Sequence, residues 1–167
     1  MTEESGFPPS PRHINFDRLW DLVPRGFALG LQSTHGPNHW RRVEAFGLQI
    51  AKHTPGVDID VIRLFALFHD CRRENENRDP GHGARGAALA FDLYHQEFRQ
   101  LEDMAFDRLI TACCWHTHRT HTDDLTIGAC FDSDRLDLGR IGIIPEASYF
   151  NTAIARQWAA AISSPAI

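Results

Sequence analysis

The chain has 167 residues, 22 acidic and 17 basic, for a formal charge of −5; with no Lys or Arg cluster, nothing leads one to expect a nucleic-acid polymer as partner. Its length supports one core without disulfides, and Cys71, Cys113, Cys114 and Cys130 lack the paired spacing of a zinc knuckle. No apolar run approaches the roughly 20 residues of a membrane span, and the acidic, proline-rich start MTEESGFPPSPRH is neither a signal peptide nor a targeting helix. A soluble cytoplasmic protein is expected. Lys52 is the one lysine, so positive charge rests on arginine, whose rigid fork suits phosphate or carboxylate.

Taken in order, residues 1–12 read as a flexible leader, 13–145 as a helical metal-binding domain and 146–167 as a helical tail packed on it. Behind Asn15 as a cap, Phe16, Leu19, Trp20 and Val23 recur at three and four and predict a short helix ended by Pro24. Gly36 and Pro37 open a second helix with His39, Val43, Phe46 and Ile50 on one face. Capped by Asp58 or Asp60, a third helix carries Val61, Ile62, Phe65, Ala66 and Phe68 and runs into adjacent His69 and Asp70. The polar run CRRENENRDPGHG then reads as a mobile loop at the mouth of a site. His82 opens a small-residue helix expected to pack through Ala84, Ala87, Ala88 and Phe91. Met104, Leu109, Ile110, Ala112, Cys113 and Trp115 predict a fifth helix with His116 on its inward face, followed by His118 and His121 in a polar loop. A sixth, with Thr126 as its cap, places Asp134 in the stripe Ile127, Phe131, Leu138 and Ile141, leaving Asp132 and Asp137 solvated, with Asp137 able to orient a ligand. Tyr149, Ile154 and Trp158 mark a last helix within 148–161. Strand-like alternation is absent, so the expectation is an all-α fold, an irregular helical bundle around a buried metal site.

The anomalous residues are His39, His69, Asp70, His116 and Asp134, polar groups at core positions, with His82 at a helix start. Burying an imidazole or a carboxylate is costly unless it is paired or holds a cation. Any one alone reads as a hydrogen-bonded core residue; together they form a ligand set. Nitrogen and carboxylate donors suit Mn, Fe, Co, Ni or Zn.

This pattern, a first-helix His, a His-Asp pair and a distant Asp, resembles the HD-domain metal-dependent phosphohydrolase superfamily over roughly Gly36 to Gly139. The resemblance implies one or two divalent ions: His39, His69, Asp70 and Asp134 match the core metal ligands, and His82 and His116 either ligate a second ion bridged by Asp70 or serve as outer or substrate groups around a single one. It implies hydrolysis of a small phosphorylated metabolite or nucleotide by metal-bound hydroxide, with Glu74 positioning water or shuttling a proton. Arg72, Arg73, Arg78 and Arg85 are candidates for phosphate, and His118 or His121 for the leaving group. A di-iron oxygenase of this ligand set, or a non-catalytic metal- or nucleotide-binding module, are the alternatives. The length and exposed terminal aromatics permit a homodimer.

Overall fold

The helix Ile59–Phe68 has no solvent-facing side: every residue from Asp60 to Phe68 is buried. A helix that is buried all round has to be surrounded, and it forms the axis of the bundle. The computed structural model describes residues 7–163. In chain order the helices are α1 (Phe16–Leu22), α2 (Pro37–His53), α3 (Ile59–Phe68), α4 (His82–Glu97), α5 (Asp103–Trp115), α6 (Leu125–Leu136) and α7 (Ala153–Ser163), with 3₁₀ turns at Val23–Gly26, Asp137–Ile141 and Ala147–Tyr149 and no strand among the described residues. Helices α2, α4, α5 and α6 all pack against α3. None of the described helices is long and apolar enough to cross a membrane.

Local chemistry sets the helix ends. Asn15 accepts from Arg18 N to start α1, and Asp58 Oδ1 accepts from the amides of Asp60 and Val61 to start α3. Asp124 caps α6 through the amides of Thr126 and Ile127, in place of the expected Thr126, whose hydroxyl instead accepts from Asp58 N. Buried Arg63 of α3 donates to buried Glu44 of α2 at 2.8 Å, a pairing that makes both charges tolerable in the core.

Several expectations are corrected. The flexible leader was to cover residues 1–12. Residues 1–6 lie outside the described residues, but Arg12 is clamped by Asp58 at 2.8 Å, Asp60 at 3.1 Å and Glu102 at 2.7 Å. The loop after Asp70 is braced: Arg85 donates to Asp79 and to Arg72 O, Asp79 accepts from Glu74 N, and Arg73 donates to Asn77 O. On α4 the packed face is Gly83, Gly86, Ala87 and Ala90, while Ala84, Ala88 and Phe91 face solvent. A Cβ at Gly83 would lie 2.1 Å from Cys113 O, and one at Gly86 2.0 Å from Phe68 O. Only glycine lets α4 approach the backbones of α5 and α3 this closely.

The stripe expected on α6 ends early, because the chain tightens into 3₁₀ geometry at Asp137 and rotates Ile141 outward to 42% exposure. Asp132 and Asp137, expected to be solvated, are buried. Asp132 accepts from the amides of Asn151 and Thr152 and from the Thr152 hydroxyl, which ties the approach to α7 onto α6. Along this last segment Phe150, Ala155 and Ala159 are buried and Tyr149 is exposed. Met104 and Trp115 of α5 also face solvent.

Candidate metal centre

Four buried imidazoles converge from four places in the fold. His39 lies in the first turns of α2, His69 closes α3, His82 opens α4, and His116 closes α5. Each ring is held by its Nδ1. His39 Nδ1 meets Asp137 Oδ2 at 2.7 Å, and His69 Nδ1 meets the carbonyls of Phe65 and Ala66 at 3.1 Å. His82 Nδ1 meets Asp79 O, and His116 Nδ1 meets Cys113 O at 2.8 Å. Carbonyl and carboxylate oxygens accept and do not donate, so in the neutral ring the proton sits on Nδ1 and the lone pair on Nε2.

The Nε2 atoms then face one another in pairs, His39 to His69 at 3.0 Å and His82 to His116 at 2.9 Å. Two lone pairs at that separation repel, and a cation between them removes the conflict. Carboxylates complete the arrangement. Asp70 Oδ2 lies 3.6 Å from His39 Nε2 and 3.9 Å from His69 Nε2, whereas Asp70 Oδ1 lies 3.1 Å from His82 Nε2 and 3.8 Å from His116 Nε2. One carboxylate thus presents one oxygen to each histidine pair. Asp134 Oδ1 joins the first pair, 3.3 Å from His39 and 3.8 Å from His69. The groups His39, His69, Asp70 and Asp70, His82, His116 are each close enough to coordinate an ion, so the site is capable of holding one or two metals.

The electrostatics agree with that capacity. Burial alone would raise the Asp70 carboxyl, but the imidazoles gathered around it, His69 first and then His116, His35 and His82, outweigh that and hold Asp70 well below the usual carboxylate range. Asp134 is held low in the same way, mainly by His39. Burial pushes His69 down to about 3, which keeps it neutral and able to ligate. For His39 burial is outweighed by Asp134 and Asp137, and its pKa rises. The negative field that raises it equally favours a divalent ion. The thiols do not compete, since burial pushes Cys71 up to about 12 and Cys113 well above the ordinary range.

The remaining candidates lie at different distances from this centre. Arg73 is buried, with Nη1 3.6 Å from Asp70 Oδ1 and 3.4 Å from His82 Nδ1. Arg78 and His118 line a cavity that reaches His82, and His118 Nε2 donates to Pro80 O. Arg72 turns away to Gly26 O at 2.9 Å, and Arg85 is engaged by Asp79 at 2.6 Å. Glu74 sits at the surface with its carboxylate 3.4 Å from Arg85, and His121 is exposed. The sequence reading missed His35, which is buried with Nδ1 3.0 Å from Asp70 Oδ2. It precedes Pro37 in a Ser/Gly-rich loop, so no periodicity marks it; its spacing of four from His39 was the available signal.

The described residues form an irregular all-helical bundle that buries a His/His/Asp and an Asp/His/His set around one shared aspartate, a cluster capable of holding metal that matches the two-site motif of the HD domain. Comparison of the chain with protein-family models, with curated proteins and with solved structures finds no match.

Proposed function

We propose that the chain is a metal-dependent phosphohydrolase of a small phosphorylated metabolite or nucleotide. The observation that carries this reading is the shared carboxylate of Asp70 between two histidine pairs, with the buried Arg73 guanidinium 3.6 Å from one of its oxygens. His39, His69, Asp70 and Asp134 would hold one divalent ion and Asp70, His82 and His116 a second, from among Mn, Fe, Co, Ni and Zn. Ions in such a site supply an acidified water and polarise a phosphoryl oxygen. The protein's own groups do the rest. Asp137 and the Phe65, Ala66, Asp79 and Cys113 carbonyls fix the imidazoles before substrate arrives. Arg73, anchored through Asn77 O, leaves Nη1 to donate to a phosphoryl oxygen and to offset charge developing on it. Arg78, at the cavity wall, adds positive charge along the approach.

The test is release of phosphate or nucleotide from phosphomonoesters, nucleotides, cyclic nucleotides and dinucleoside polyphosphates, with Mn, Co, Ni, Mg or Fe added. Turnover that depends on metal and disappears in Asp70→Asn is the expected result. Metal-replete protein that turns over none of these compounds overturns the reading.

A further inference from the structure

The cavity beside the second histidine pair encloses about 370 Å³ and is lined by Arg73, Asn77, Arg78, Asp79, Pro80, His82, Thr117 and His118. Its inner end is at the centre itself, since His82 and Arg73 are the lining residues that also approach Asp70 Oδ1, at 3.1 and 3.6 Å. The outer wall is made of amide, hydroxyl, imidazole and guanidinium groups. Asp79 is already engaged by Arg85 and the Glu74 amide, and His118 Nε2 by Pro80 O, which leaves Asn77, Thr117 and the Nδ1 of His118 to meet a bound molecule. A nucleobase gains much of its affinity by stacking on a broad aromatic face; among the described residues neither Phe, Tyr nor Trp lines this cavity, and the rings that do are the imidazoles of His82, at the centre, and His118, tied to Pro80 O. The nearby Trp115 carries the Arg119 guanidinium 4.3 Å over its ring and meets the His118 ring at 78°. The volume is at the small end for ligand pockets.

We propose, on the strength of the phosphohydrolase reading, that this cavity receives the body of a small hydroxylated phosphate ester, a phosphorylated polyol or sugar, and does not receive a nucleoside. The phosphoryl group lies at the Arg73 and His82 end, and the hydroxyls meet Asn77, Thr117 and His118. The probes are phosphonates that cannot be hydrolysed: methylphosphonate for the head group alone, 3,4-dihydroxybutylphosphonate for a polyol phosphate, and the methylene phosphonate of adenosine 5′-monophosphate. Each is titrated calorimetrically into manganese-replete protein. The dihydroxybutyl compound is expected to bind about tenfold tighter than either of the others, the net effect of one or two hydrogen bonds, and Thr117→Val is expected to shrink that advantage. Equal or tighter binding of the adenosine compound overturns the inference, as does a polyol compound no tighter than methylphosphonate. Hydrolysis is measured separately on the parent esters. Polyol-selective binding without turnover would sink the phosphohydrolase reading and leave this inference standing; turnover confined to nucleotides would do the reverse.

A second inference rests on His35. Asp70 Oδ2 can only accept, so His35 Nδ1 at 3.0 Å carries a proton and donates it. The loop that bears His35 is held from two sides, Trp40 Nε1 donating to His35 O at 2.7 Å and Arg140 Nε to Thr34 O at 2.9 Å. We infer that His35 is a positioning residue that sets the rotation of the shared carboxylate, fixing which oxygen faces which histidine pair. His35→Ala is expected to weaken manganese binding at both equivalents by about 10- to 100-fold, the usual cost of removing an outer hydrogen bond to a ligand. His35→Asn, whose amide nitrogen lies near the position of Nδ1, is expected to recover most of it. Unchanged manganese affinity in folded His35→Ala overturns the assignment, and so does failure of His35→Asn to bind better than His35→Ala.

Discussion

The two halves of the centre are built from the same side chains but supported differently. In the first half His39 is locked by the buried carboxylate of Asp137, which Arg42 holds in turn at 2.7 Å, and Asp134 and the His35 loop close over it. In the second half both imidazoles lean on backbone carbonyls, and the open side faces a polar cavity with a guanidinium beside it. One half is enclosed by charge and the other is open to a ligand. On the proposed reading the difference would assign them work, the first retaining an ion and the second meeting the substrate.

The contrast is broken most completely by removing what the halves share. Asp70→Ala is expected to take bound metal from two equivalents to near none and turnover below about a thousandth of the wild-type value, read by metal analysis beside the hydrolysis assay. A more selective change separates them: His116→Ala is expected to lose one equivalent and keep the other, whereas two equivalents retained would show that the halves are not distinct sites. The geometry between the halves is the next target. Gly86→Ala forces a Cβ to 2.0 Å from Phe68 O, with an expected cost of about 1–3 kcal/mol. At this chain length each kcal/mol lowers Tm by about 2–4 °C, and ion affinity should fall more in the second half than in the first.

The smallest effect serves as the control. Asp124 caps α6 away from the centre; burial, which would raise its carboxyl, is outweighed by Arg108 and the α6 amides, and its pKa is lowered. Its contribution is therefore fully present above the ordinary carboxylate value and is lost as pH falls through the lower folded value. Asp124→Ala is expected to cost about 1 kcal/mol, to flatten part of the acid limb of a Tm-against-pH curve, and to leave metal content at neutral pH unchanged.

The sequence displayed the helical bundle and the anomalous polar residues because both depend on periodicity. His39, His116 and Asp134 stood out against apolar neighbours on their own faces, and His69 and Asp70 stood out at the end of a run buried on every side. Periodicity fails where the contact is made by something other than an apolar side chain. The packed face of α4 is half glycine, so a reading by hydrophobicity chose the alanine and phenylalanine face instead. Asp137 fell off the α6 stripe because the helix changes pitch beneath it. His35 belongs to a loop with no period at all, and apart from its spacing of four from His39 nothing in the sequence marks it before Asp70 is placed.

The two glycine contacts of α4 have a consequence for how this protein tolerates change. The offset between His82 and the other three imidazoles is set by backbone resting on backbone, at Gly83 against Cys113 and at Gly86 against Phe68. In a library randomised across the bundle, most interior positions should therefore accept volume-conserving exchanges without moving the ligands, while these two positions should return glycine above any other residue.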